Sequence, residues 1–496
     1  MILLKLALLW QLYFYCRSQA PTINVSVFLP KDIGEPLTNH FGLSQEKVKP
    51  VVQVAIEDIE NKEVYNGGIK VTYKDTQVSS PLSESYTLQK VMKIFCSEAV
   101  DLFMGFANFY NLVAVGRISW LWGSGIPIVT TIAMSHGIDK NSEFKLVTRM
   151  WPSYHQVTQT MLEIMRNPKR ENSSHPTSNW TTVAGIVQVR NKSIHVGTTE
   201  YEFMLSEFFK ETYRAQFGKE PEIKSVHDIV EGNIPNYKNN LRELSKESNV
   251  ILLCASATTI RNIMQAAHDL EMTTSGEYVF INVDISGTYN PTPWITENST
   301  DEENKKLMKA FQALKTITLK QVRKDDENFE NFRKRVQNKT GSNQPVELNN
   351  FITGFYDGLL LYAIALNATL KDKASSHTVN GTEVTKNMWN RTFISDISGE
   401  VRIDENGDRV SDYSLWALNP EKQEFEEVAY YSGEEQKLID VTNDWYWVNG
   451  KVPADHPVCG WDKSLCPEKT LPIWGWFMIA MTIVLIVFSI VFFVLR

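Results

Sequence analysis

The sequence predicts an α/β protein built as two doubly wound lobes, and three observations carry that reading. Short apolar strands alternate with amphipathic helices over most of the chain, the pattern of βαβ units whose parallel sheets are covered on both faces. Between an N-terminal leader and a C-terminal apolar run lie about 450 residues, more than one hydrophobic core usually spans. Near the C-terminal end the rhythm changes from strand–helix units to hairpins. Two lobes, each a sheet with helices on its faces, satisfy all three.

Taken in order, residues 23–30 alternate as a strand, and 48–61 place Val52, Ile56 and Ile59 on one helical face. A strand at 68–74, a helix at 83–97, a strand at 100–105, a helix at 111–121 and a strand at 126–133 complete the first run. The second run reads helix 154–166, strand 181–189, helix 200–215, strand 223–229, helix 235–246, strand 249–255, helix 258–271 and strand 277–284. Residues 286–305 and 371–382 are polar and rich in turn formers, so they read as loops. Between them, Phe351, Phe355, Leu359, Tyr362, Leu366 and Leu370 recur at steps of three or four and predict a helix over 350–370. Asn406-Gly407 then marks a hairpin turn.

The two ends give the topology. Residues 1–20 carry an early Lys5, an apolar run, and Ser18 and Ala20 in a small-x-small cleavage pattern, which reads as a secretory signal peptide. Residues 471–495 hold no charged side chain and are long enough, at about 1.5 Å per residue, to cross a hydrocarbon core of roughly 30 Å. Trp474 and Trp476 sit in its first turn, where aromatic rings favour the headgroup layer. The expectation is a single-pass plasma-membrane protein with an extracellular N-terminal mass and a short juxtamembrane segment at 456–470. A terminal apolar run also fits the signal for a lipid anchor. Its length, and the lack of a small-residue site about ten positions upstream, stand against that.

Net charge is −8, with 50 basic and 58 acidic residues spread along the chain, which argues against a nucleic-acid surface. Nine N-x-S/T sequons, at Asn24, Asn172, Asn179, Asn191, Asn298, Asn338, Asn367, Asn380 and Asn390, are candidate glycan sites on a secreted chain. Cys16 leaves with the leader. Cys459 and Cys466, seven apart, are placed for a local disulfide, and Cys254 in an apolar run reads as a buried strand end. No nucleotide-binding glycine loop, zinc-protease or hydrolase motif is present, so no enzyme, metal or cofactor is expected. The Asp404–Asp408 run lacks the later glutamate of a calcium loop and reads as a turn.

Three segments carry more specific information: 254–272 (CASATTIRNIMQAAHDLEM), 351–370 (FITGFYDGLLLYAIALNATL), and 387–393 (NMWNRTF) running into 398–420. Together they closely resemble the ectodomain of the natriuretic peptide receptor family, shared by receptor guanylyl cyclases and the cyclase-less clearance receptor. The first looks most like the clearance branch. The resemblance runs from about residue 45 to the Cys459–Cys466 pair. It implies a two-lobed type I periplasmic-binding-protein fold with three crossovers, lobe one at 21–148 with 287–370 and lobe two at 149–286 with 371–455. It further implies a homodimer that clasps one peptide hormone and transmits the rearrangement through the membrane.

Matched residue by residue, the resemblance makes Tyr110, Arg117, Glu98, Glu143, Phe144 and His227 the candidate peptide contacts. Carboxylates suit a basic peptide, and aromatics suit rigid interface anchors. The chain departs from the family at Gly105–Asn108, where the family has a cysteine loop. Cys96 therefore loses its usual partner, Cys254 loses its own near Tyr201, and the family chloride site is doubtful here. The expected function is a clearance or decoy receptor for a peptide of natriuretic type. The alternative is the front part of a receptor guanylyl cyclase, and a third reading puts a small molecule in the interlobe cleft.

Overall fold

The computed structural model describes residues 20–31, 42–76, 83–107, 109–132, 134, 138, 143–166, 180–189, 222–230, 232–284, 290–296, 299–320, 327–341, 346, 348–371, 379–457, 459, 463–464, 466 and 473–495. The leader, helix 200–215, the sequons at Asn172, Asn179, Asn191 and Asn298, and most of 456–470 lie outside the described residues.

The first lobe is built from β1 (Ile23–Phe28), α1 (Gln45–Asn61), β2 (Ile69–Lys74), α2 (Ser83–Ser97), β3 (Leu102–Gly105), α3 (Phe109–Gly116), β4 (Ile128–Thr130) and β5 (Val147–Arg149). Its sheet is wholly parallel, in the order β2-β1-β3-β4-β5. The strands are continuous apolar runs because helices cover both faces. Phe28, Phe103, Ile128 and Val147 pack on one face with residues of α2 and α3, and Val25, Val27, Met104 and Val129 on the other.

After β5 the chain enters the second lobe through α4 (Tyr154–Arg166), β6 (Thr182–Gln188), β7 (Glu222–Ile229), α5 (Ile234–Leu244), β8 (Val250–Cys254), α6 (Ala257–Asp269), β9 (Val279–Asp284), α7 (Asp301–Phe311) and β10 (Leu314–Leu319). It returns to the first lobe as α8 (Glu327–Thr340) and α9 (Asn350–Lys371), both packed on α1. Helix α10 (Gly381–Met388) and a three-stranded sheet of β11 (Arg391–Ser395), β12 (Gly399–Ile403) and β13 (Arg409–Val410) follow. A third passage leads back through β14 (Tyr413–Asn419), β15 (Glu424–Ser432) and β16 (Lys437–Asp440), which complete a mixed sheet ordered β16-β15-β14-β10-β9-β8-β6-β7.

This order corrects the boundary expected from sequence. Residues 299–319, expected in lobe one, belong to lobe two, because β10 pairs in parallel with β9 and antiparallel with β14. The polar stretch 286–305 also contains the start of α7, whose first turn is closed by a reciprocal capping box between Thr300 and Glu303.

Helix α9 is apolar and long enough to cross a membrane, yet 83% of its apolar window is buried, so it is the core helix of lobe one. The C-terminal helix α11 (Ile473–Val494) is the opposite case: Trp476, Leu485 and Phe488 are 60%, 60% and 74% exposed.

Buried polar groups hold the crossing segments. Asp357, on α9 and without solvent contact, accepts from Ser395 Oγ at 2.6 Å, Ser398 Oγ at 2.5 Å and Arg409 Nη1 at 3.0 Å, fastening the small sheet to the core helix. The Asn406-Gly407 turn forms as expected. Gly407 has φ of +85°, and a Cβ there would come 2.4 Å from the Trp389 indole nitrogen.

Candidate ligand-binding face of the first lobe

Tyr110 lies in the first turn of α3 with 47% of its surface exposed. Seven residues on, two helical turns away, Arg117 extends the same helix through its N–H to the Val113 carbonyl. Its Nε donates to Glu143 Oε2 at 2.8 Å, and its guanidinium sits 5.6 Å above the Phe144 ring. Of these four sequence-derived residues, Arg117, Glu143 and Phe144 are in contact.

Phe144 does not present its ring outward. It is 2% exposed and packs into the core beneath α3, where a Cβ on Gly116 would lie 2.9 Å from its Cδ1. The glycine lets the helix approach the ring, so the expected aromatic anchor is the floor under Arg117. The exposed features of the site are Tyr110 and the Arg117–Glu143 pair. Both members of that pair are more than half exposed, which makes opening it cheap, of order 0–1 kcal/mol. Once open, it offers a guanidinium to a carboxylate and a carboxylate to a cationic group of a ligand.

Glu98 stands one residue beyond α2, its carboxylate 3.3 Å from Lys74 Nζ on β2. It is part of the first lobe but is already paired. His227 is set apart: it lies half-buried on β7, the outer strand of the other lobe, opposite Ile186.

Aromatic residues near this face escaped the sequence reading. Lys145 Nζ lies 3.8 Å from the centre of the Trp120 ring, and Trp122 stacks on Phe95 of α2 at 4.7 Å. Leu121 between them is 58% exposed. An apolar run at the end of a helix reads as core, and the turn at Ser119–Leu121 brings Leu121 outward while Trp122 packs edge-on to the core Phe103.

The other lobe carries the chain toward α11. Asp455 accepts hydrogen bonds from the Thr181 and Thr182 backbone N–H groups and from Thr181 Oγ1, while its own carbonyl accepts from Asn249 N at 3.0 Å. Trp180 Nε1 donates to the Pro453 carbonyl at 2.9 Å. Lys315 is buried beside this segment, donating to the Gln312 and Tyr446 carbonyls at 3.1 and 3.4 Å, with its ammonium 4.7 Å from the Trp447 ring centre. Burial pushes its pKa down to about 7, opposed by the nearby Asp444 carboxylate. Cys459 and Cys466 form a disulfide, and the Cys459 N–H reaches Glu277. Cys96 is an exposed free thiol; Cys254 is a buried one, its pKa raised by burial to about 12. Among the described residues, no group of three or more His, Cys, Asp or Glu could hold a metal.

Comparison with known proteins places these features. The chain is 37% identical to the receptor-type guanylate cyclase gcy-28 of Caenorhabditis elegans over 93% of its own length, but spans only 38% of that protein. It is 28% identical to atrial natriuretic peptide receptor 3 of Rattus norvegicus, over 88% of this chain and 77% of the relative. To atrial natriuretic peptide receptor 2 of Anguilla japonica it is 26% identical, over 96% of this chain and 44% of the relative. Residues 47–421, which take in the Tyr110–Arg117 helix and most strands of the two large sheets, match the family described as the receptor family ligand binding region, and the chain belongs to that family.

Proposed function

We propose that the chain is the ligand-binding ectodomain of a single-pass cell-surface receptor for a peptide hormone of natriuretic type. The observation that carries this reading is the family match over residues 47–421, joined to relatives named as natriuretic peptide receptors that cover more than four-fifths of the chain. The Tyr110–Arg117–Glu143 face is the peptide contact, with Glu98 at its margin and His227 contributing from the other lobe. Two copies embrace one peptide. Helix α11 spans the membrane, a role supported by its length of about 33 Å and its apolar exposed surface.

In this reading the receptor acts by clearance or as a decoy. A second reading, the sensor half of a receptor guanylate cyclase, is favoured by the 37% identity to gcy-28, against 28% to the natriuretic peptide receptor 3 of the rat. Saturation binding of an iodinated natriuretic-type peptide to cells expressing the full chain tests the ligand. Specific, saturable binding is expected. Displacement by small metabolites, or no binding above untransfected cells, contradicts it. Sequencing the transcript through and beyond the Arg496 codon separates clearance from cyclase.

A further inference from the structure

Five of the nine sequons lie in described residues, and they are not equivalent. Asn338 is exposed on α8, and its side chain extends from the last turn of a helix that has only Phe332 and Val336 buried. Asn390 is exposed too. It follows α10 with a φ of +49°, its backbone N–H is held by the Asp404 carbonyl at 2.9 Å, and Thr392, the third residue of its sequon, is also exposed.

Asn367 and Asn24 occupy structural positions. Asn367 lies in the core helix α9 and donates from Nδ2 to the Val64 carbonyl at 2.8 Å, where the chain turns after α1. The third residue of its sequon, Thr369, is buried and bonded to Ala365 and Asn387. Asn24 sits in β1, a strand paired on both sides, with its N–H on Asp101 Oδ2 at 2.7 Å and its side-chain amide turned to the same oxygen. Ser26, which completes that sequon, is 1% exposed. Attaching an oligosaccharide to either amide would set a bulky hydrated group between packed elements.

We propose that Asn338 and Asn390 carry N-linked glycans in the folded protein and that Asn24 and Asn367 do not. No sequon lies between Asn24 and Asn172, so the first lobe from β1 through β5 is then free of sugar. That stretch includes Tyr110, Arg117 and Glu143 and the exposed Met92 and Phe95 of α2. The glycans stand on α8 and beside the small sheet. This inference rests on the extracellular reading above.

The test is enzymatic deglycosylation in heavy-oxygen water, followed by peptide mass spectrometry, on the full chain expressed in animal cells and extracted folded from the membrane. Labelled Asp is expected at positions 338 and 390, with unlabelled Asn at 24 and 367. Alongside it, Asn338→Gln should leave the melting temperature unchanged, while Asn367→Gln should lower it by several degrees. Label at Asn24 or Asn367, or its absence at Asn338 and Asn390 while other sequons are occupied, overturns the site assignment alone. A chain with no glycan at any of the nine sequons overturns both the assignment and the extracellular reading.

Discussion

Arg149, at the end of the first lobe's outer strand, lies with its guanidinium bidentate on the carboxylate of Asp408, 259 residues later and in the turn between β12 and β13. Its side chain is 1% exposed, and that of Asp408 10%. The Arg149 N–H also donates to the Gly407 carbonyl at 2.8 Å. One residue pair thus joins the first crossing between lobes to the third. Burying a charge is costly unless it is paired and hydrogen-bonded, so the pair specifies which hairpin docks there.

Breaking that pair from one side should be severe. Arg149→Met takes away the guanidinium that pairs the largely buried Asp408 carboxylate, and a loss of about 3–5 kcal/mol is expected in urea unfolding. Combining it with Asp408→Leu should recover much of the loss, because the uncompensated charge is gone.

The Asp455 carboxylate closes the N-terminal end of β6 through two backbone N–H groups and a hydroxyl. Asp455→Ala should cost about 2 kcal/mol, in the range for hydrogen bonds to a charged group. Amide exchange at Thr181 and Thr182 should accelerate, while that of β1 and β3 stays slow.

Lys315 gives a pH dependence with a defined sign. Burial holds its folded pKa at about 7, far below the unfolded value near 10.4. Between those two values the unfolded chain keeps a proton that the folded chain has released, so stability rises as pH increases from about 7 toward 10 and is flat in this term below 7. Lys315→Met should remove that rise, which melting curves taken from pH 6 to pH 9.5 would reveal.

Arg117 and Glu143 are more than half exposed, so Arg117→Ala should shift stability by less than about 0.5 kcal/mol. On the proposed function it should weaken peptide affinity about tenfold or more, equivalent to roughly 1.4 kcal/mol. Binding isotherms for the two single variants and the double variant measure the coupling directly.

Much of the fold was legible because strands covered on both faces are continuous apolar runs. Helices 83–97 and 154–166 have the bounds expected from their spacing, and α9 extends only to Lys371. The error at 299–319 has a physical source. Sequence shows that Leu314–Leu319 is apolar but not which neighbour its backbone pairs with, and pairing with β9 and β14 decides its lobe. The start of α7 was readable in Thr300-x-x-Glu303, a capping signal hidden within a polar stretch. At the site, the family resemblance is what made Tyr110, Arg117 and Glu143 candidates. Burial could not be read from sequence: Phe144 became floor and Leu121 an exposed side chain, because the close approach at Gly116 and the turn at Ser119 are tertiary facts.

The central claim is that a peptide engages the α3 face of the first lobe. Hydrogen-exchange mass spectrometry of the full chain, with and without saturating natriuretic-type peptide, tests it most directly. Slowed exchange in segments covering Phe109–Arg117 and Glu143–Leu146 is the predicted result. Tight peptide binding with those segments unchanged, and protection confined to the second lobe, would contradict it.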